Sequence, residues 1–266
     1  MLNNDSLNSD WRRVASTIYR KPLDSKIFGQ VDLDVTRLEE FVSDKRRKGI
    51  KITLTHMMVL AVARCLRDEV PALNTYIRRG RVVSHQSIDA MVSVLKADGG
   101  MSSVVIREAD RLNVSSLNER MAEAIQNTRQ GKEGASMESK NIVARLPWPF
   151  RSWVFSLYQL LTIKWGLQLP FLKASPDSMG SFVISNIGSI GLETGYPALL
   201  PGANMAFVLV MGGVAKKPVV IDDEIVIRRI MSLSIVMDHR MVDASHGGKL
   251  LRYLRRVFKE PELLEN

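Results

Sequence analysis

Cysteine is nearly missing from this sequence. Cys65 is the single one in 266 residues, which excludes an intramolecular disulfide framework and a cysteine-based zinc site. It sits in the apolar run 57–66, where a thiol is expected to fill a core rather than act as a nucleophile. Long hydrophobic runs are missing too, since no apolar stretch approaches the roughly 20 residues a helix needs to cross a bilayer. The N-terminal stretch Met1–Asp10 is polar and lacks the basic-then-apolar plan of a secretion signal, so the expected address is the cytoplasm. Acidic residues are the minority charge, 28 against 37 Lys and Arg, for a formal net charge of +9. That surplus permits a polyanionic partner: nucleic acid, an anionic membrane or a phosphorylated cofactor. The basic residues are scattered, however. The runs Lys45-Arg-Arg-Lys48 and Arg252–Arg256 fall on expected helices, and no nucleic-acid motif accompanies them, so no nucleic-acid partner is expected.

What is present is enough apolar material, 45% of the residues, for one large domain or two small ones. Ile27–Asp34 alternates as a strand does. A helix follows, with Thr36 and Glu39 spaced as a capping box and Gly49 as its stop. A second helix runs from near Thr55 to Pro71, with His56 in its first turn, where a structural role is expected. Strands are expected over 74–84 (around an Arg-Arg-Gly-Arg turn), 88–96 and 101–106, and Ser116 with Glu119 opens a third helix. Residues 131–140 read as an exposed loop.

Composition then shifts. Residues 142–172 hold Trp148, Trp153 and Trp165, three of the four tryptophans, and a helix is expected near 152–163 with apolar residues on most sides. Three readings stay open for this stretch: core, the lining of an oligomer interface or channel, or a membrane surface contact. Ser181–Asn186 is a strand that exits into Gly188, Gly191 and Gly195, without the lysine of a phosphate loop. Met205–Met211 reads as a strand buried on both faces, 219–229 as a hairpin around Asp222-Asp223, and Ser245–Lys259 as the last helix. The sum is α/β with a mixed sheet, and nothing points to a doubly wound dinucleotide fold. Between the hairpin and the last helix, Met231, Leu233, Ile235 and Met237 alternate with serines and run into Asp238, His239, Arg240 and Asp243. Four ionisable groups at the mouth of a buried strand are either a solvated turn or a place for chemistry.

The residues around this turn resemble a known family. Ser181-Phe-Val-Ile-Ser-Asn-Ile-Gly188, Pro201, Val219, Asp222-Asp-Glu-Ile225 and Asp238-His-Arg-Met-Val-Asp243 are similar to the catalytic domain of the dihydrolipoamide acyltransferases. These belong to 2-oxo acid dehydrogenase complexes and share a superfamily with chloramphenicol acetyltransferase. Val31-Asp-Leu-Asp-Val35, Pro71-Ala-Leu-Asn74 and Val105-Ile-Arg-Glu-Ala-Asp110 agree with it. The resemblance implies a chloramphenicol acetyltransferase-like α+β sandwich, its mixed sheet covered by helices. It would occupy residues 11–266 after a flexible N-terminus, 1–10, with an aromatic-rich insertion at about 131–178.

It also implies a homotrimer, or a larger cage, with active sites between subunits. Coenzyme A would be a substrate, and a lipoyl-bearing protein or a small thiol the acyl acceptor, with no metal. Carried over, His239 is the general base and Ser185 donates to the oxyanion of one site. Asp243 holds the turn through an arginine, Arg13 in Trp11-Arg-Arg13, with Arg12 as its rival. Departures are Ala244, where the family has glycine, and Gly100-Met-Ser-Ser-Val104, where Ser102 or Ser103 replaces a threonine. No lipoyl domain or subunit-binding domain is expected in the chain, so the enzyme would stand alone. The alternatives are a trimer or cage scaffold with a decayed site, and a membrane-associated module using 142–172.

Overall fold

The computed structural model describes residues 25–95, 101–129, 147, 150–167, 179–199 and 204–265. In chain order its elements are β1 (Lys26–Asp34), α1 (Thr36–Arg47), α2 (Leu54–Asp68), β2 (Thr75–Arg78), β3 (Arg81–Ser84), β4 (Ala90–Leu95) and β5 (Met101–Ile106). There follow α3 (Val114–Arg129), α4 (Phe150–Gln159), β6 (Phe182–Asn186), β7 (Phe207–Ile221), β8 (Glu224–Asp238) and α5 (Ala244–Lys259). Six strands form one sheet in the order β1-β8-β7-β6-β4-β5, while β2 and β3 pair separately as a hairpin. β6 runs parallel to both β4 and β7, and the other pairings are antiparallel. The sheet is mixed, as expected.

Strand alternation divides the sheet into two faces. Leu33, Val92, Ile184, Leu209, Leu233 and Ile235 point into a core shared with the helices. At its centre lies α2, whose residues from His56 to Leu66 are all buried, as a helix that is apolar on every side must be. Cys65 belongs to this core. Burial pushes its thiol up to about 12, so it is inert at neutral pH. Arg64, also buried, donates through Nη1 to the Leu263 carbonyl and through Nη2 to the Leu112 carbonyl, leaving Nε without a partner, and so ties the C-terminal turn to α2. Met205, Val208 and Val236 form a second, smaller cluster on the opposite face.

Several local expectations shift. The Thr36/Glu39 box does not form. Thr36 donates instead to Asp34 Oδ1 (2.9 Å from N, 2.6 Å from Oγ1), and Glu39 takes Arg229 on β8 at 2.6 Å. A tertiary charge partner outcompetes a local backbone one. Likewise Asn113 caps α3, its Oδ1 accepting from Ser116 N at 2.9 Å, which starts the helix before Ser116. The 74–84 segment is the β2–β3 hairpin, turning through Arg79 and Gly80, both at positive φ. Asp222 and Asp223, at φ 51 and 62, make the two-residue turn of the long β7–β8 hairpin, as expected. Finally, α4 continues into a π-helical turn, Leu160–Lys164, and its Phe150, Trp153, Val154 and Leu157 are exposed in this chain rather than core.

Candidate active site

The turn after β8 is built around a buried charge. Asp238 is 2% exposed, and Arg240 grips both of its carboxylate oxygens at 2.5–3.1 Å. Arg240 N and Ser25 Oγ each donate to Oδ1 at 3.0 Å. Burial alone would raise this carboxyl. The hydrogen bonds from the Arg240 side chain and backbone, its charge and the Ser25 hydroxyl outweigh that and hold it below the ordinary aspartate value. His239 is thereby fixed from both sides, since its N–H donates to the Ser25 carbonyl at 2.8 Å.

Replacing Arg240 by Met is expected to cost about 1–3 kcal/mol of stability at pH 7, because a desolvated carboxylate loses its main donor. A depressed aspartate stabilises the fold above its unfolded value and loses that stabilisation as pH falls through the folded one. The gap between wild type and Arg240→Met therefore closes on acidification, when both forms carry a protonated Asp238. Urea titrations at pH 7 and well below the ordinary aspartate value of 3.8 check this, and a gap independent of pH contradicts it.

The imidazole of His239 is half exposed, with Nδ1 3.0 Å from the Val242 carbonyl and 3.4 Å from Asp243 Oδ1. A carbonyl only accepts, so it assigns the proton of the neutral ring to Nδ1 and leaves the lone pair on Nε2. Asp243 sits at the N-terminus of α5, and its N–H donates to His246 Nδ1 at 3.0 Å. Ala244 is the first residue of that helix, a position that asks nothing of glycine. Arg12 and Arg13, expected to pair with Asp243, lie outside the described residues. His56 is structural, as expected. Burial, with Arg46 nearby, pulls it down to about 4, and it pairs with Thr53 Oγ1 at 2.6 Å.

Ser185 lies elsewhere on the sheet. It faces a cavity of about 410 Å³ lined by Met91, Ser93, Val183, Tyr196, Met205 and Val210 among others. Its neighbour Asn186 pins the end of β6, donating to Thr55 Oγ1 on α2 (3.0 Å) and accepting from Ser189 N (3.2 Å). The following loop folds back over the sheet, with Gly213 N donating to the Leu192 carbonyl at 2.9 Å. A Cβ at Gly212 would fall 1.8 Å from the Glu193 carbonyl oxygen, so only glycine lets the loop close here. Tyr196 ends the loop, its hydroxyl donating to Gln30 Oε1 at 2.5 Å. On β5, Ser103 pairs with Ser93 and shares its face of the sheet, whereas Ser102 is buried. Gly100 lies outside the described residues.

The structure does not bring Ser185 and His239 together within one chain. Ser185 pairs with Val210, and Val210 with Ser234. His239 lies five residues beyond Ser234, about 16 Å along the strand, with two strand spacings across as well. Neither side chain spans that gap.

The profile of the 2-oxoacid dehydrogenases acyltransferase (catalytic domain) matches residues 25–140 and 172–265. This chain belongs to that acyltransferase family. Among curated relatives is the dihydrolipoyllysine-residue acetyltransferase component of the pyruvate dehydrogenase complex of Rickettsia bellii. It is 24% identical over 97% of this chain and 53% of its own length. The chain thus spans about half the length of the relatives it matches. The fold is that of the acyltransferase cores. The dihydrolipoamide acetyltransferase of Azotobacter vinelandii superposes with a TM-score of 0.65 at 19% identity, over 91% of this chain and 84% of that one. Chloramphenicol acetyltransferase superposes with 0.51 at 12% identity, over 96% and 97%. The family match leaves out residues 141–171, the aromatic-rich stretch.

Proposed function

We propose that this member of the family moves an acyl group between coenzyme A and a thiol, in a site made by two subunits of a homotrimer. His239 of one subunit meets Ser185 of the next. The observation that carries this reading is the separation just described: two side chains, each prepared for one half of an acyl transfer, sit too far apart in one chain to serve the same carbonyl. A closed ring of three lets each subunit supply one half to each neighbour.

The chemistry follows from the two halves. His239 Nε2 takes the proton of the acceptor thiol, and the resulting thiolate attacks the thioester carbonyl of acyl-coenzyme A. The oxyanion that forms accepts a hydrogen bond from Ser185 Oγ, with Ser93 lining the same cavity. Collapse of the intermediate expels the coenzyme A thiolate, which takes the proton back from His239. The acceptor is a dihydrolipoyl group carried by another protein, or a small dithiol, and the reaction needs no metal. Support comes from the names of the relatives, which are dihydrolipoyllysine-residue acetyltransferases. The Azotobacter vinelandii enzyme was investigated for the catalytic role of a serine, a histidine and an asparagine, the last two spaced as His239 and Asp243 are.

The direct test is acyl transfer from acetyl-coenzyme A and longer acyl-coenzyme A thioesters to free dihydrolipoamide, followed as thioester formation. Turnover above the uncatalysed rate is expected with at least one chain length. Its absence with every donor would leave a scaffold and overturn the proposal.

A further inference from the structure

We propose that α4 and the turn after it form a docking face for an anionic lipid bilayer. Phe150, Trp153, Val154 and Leu157 stand at i, i+3, i+4 and i+7, which places them on one side of the helix. That side faces solvent: the four are 54%, 65%, 42% and 54% exposed, and Trp165 beyond them is 55% exposed. Helices normally turn such a stripe inward. Here the other end of the segment packs inward, with Thr162 buried and its hydroxyl bonded back to the Tyr158 carbonyl of its own helix at 2.7 Å.

The segment is held in this attitude. Arg79 Nε donates to the Trp165 carbonyl at 2.9 Å, and Arg78 Nη2 to the Gly166 carbonyl at 3.1 Å. Gly166, at φ +65, lets Arg78 lie against it, since a Cβ there would fall 2.5 Å from Arg78 Cγ. Two arginines of the β2–β3 hairpin therefore clamp the end of the segment and keep its apolar side outward.

Charge decides the occupant. Lys164, Arg79 and Arg81 are exposed on this segment and its hairpin support. Among the described residues of this segment, 150–167, there is no Asp or Glu. A two-fold pairing of this face with its own copy would bring like charges together, and a contact with a different surface of a neighbouring subunit is distinguished by oligomer size. A bilayer with anionic headgroups accepts both features, with tryptophan and leucine in the interfacial layer and lysine and arginine at the phosphates.

Flotation of the whole protein with vesicles tests this, using phosphatidylcholine alone and phosphatidylcholine with about 30% phosphatidylglycerol. Binding to the anionic vesicles is expected to exceed that to the neutral ones about tenfold and to fall as salt rises from about 0.1 to 0.5 M. Trp153→Glu with Leu157→Glu is expected to abolish flotation while leaving elution volume and acyl transfer unchanged. Should the double variant misfold, Lys164→Glu with Arg81→Glu tests the cationic half with the apolar face intact, and is expected to remove the preference for anionic vesicles. Three results would overturn the proposal. They are no flotation of the wild type, equal flotation of the variants, or a changed oligomer size in the double variant, which would make the face a contact between subunits.

Discussion

Substitution of His239 by Ala is expected to lower kcat for acyl transfer to dihydrolipoamide by about 10²–10⁴-fold, with little change in KM for coenzyme A thioesters. The free nitrogen of the ring decides this. With Nδ1 donating to the Val242 carbonyl at 3.0 Å, Nε2 has the lone pair, on a side chain that is half exposed. Burial of Asp238 and its grip by Arg240 fix the backbone on which that ring is mounted, so the base is aimed before substrate arrives. Asn at the same position reproduces the Nδ1 donor and lacks a base. His239→Asn is thus expected to lose as much activity as His239→Ala while retaining more stability. Steady-state kinetics beside thermal unfolding separate the two effects, and near-wild-type turnover by either variant contradicts the assignment.

Ser185→Ala is expected to cost about 10²–10³-fold in kcat, the range seen when one oxyanion donor is removed. Ser185 stands between Ile184, which enters the helix-side core, and Asn186, which is bonded to Thr55 on α2. Its hydroxyl is therefore carried on a fixed strand and faces the cavity. The hydroxyl is small and borders a cavity, so its removal should barely change stability. A loss of binding without a loss of kcat, read from the KM-against-kcat split, would make Ser185 a substrate-binding group instead.

The parts of the fold that were legible in the sequence are those governed by short-range rules. Two-residue alternation marks β1 and β8, the Asp222-Asp223 pair marks the hairpin turn, and the apolar run through Cys65 marks the central helix. Charged spacing was less informative. Thr36 and Glu39 have the spacing of a capping box, yet Glu39 is drawn to Arg229 on a strand distant in sequence. Around the motif, sequence offers two aspartates and several arginines without saying which pair. The structure buries Asp238 and mates it with Arg240, and His246 meets the N–H of Asp243, two roles with no local signature. On α4 the sequence reads as apolar on most sides, and neither composition nor periodicity says which of them looks at solvent. The separation of His239 from Ser185 within one chain is likewise a matter of strand register, which no single segment contains.

Complementation tests directly whether the site is shared between subunits. His239→Ala and Ser185→Ala chains, each inactive alone, are co-expressed with different tags so that mixed trimers form. Where a Ser185→Ala subunit offers its intact His239 to the intact Ser185 of a His239→Ala neighbour, a wild-type site is rebuilt. Random one-to-one mixing places such a pair at about a quarter of the interfaces of a three-membered ring, so about a quarter of wild-type activity is expected. Activity no greater than the average of the two parents, in trimers shown to contain both tags, would contradict it.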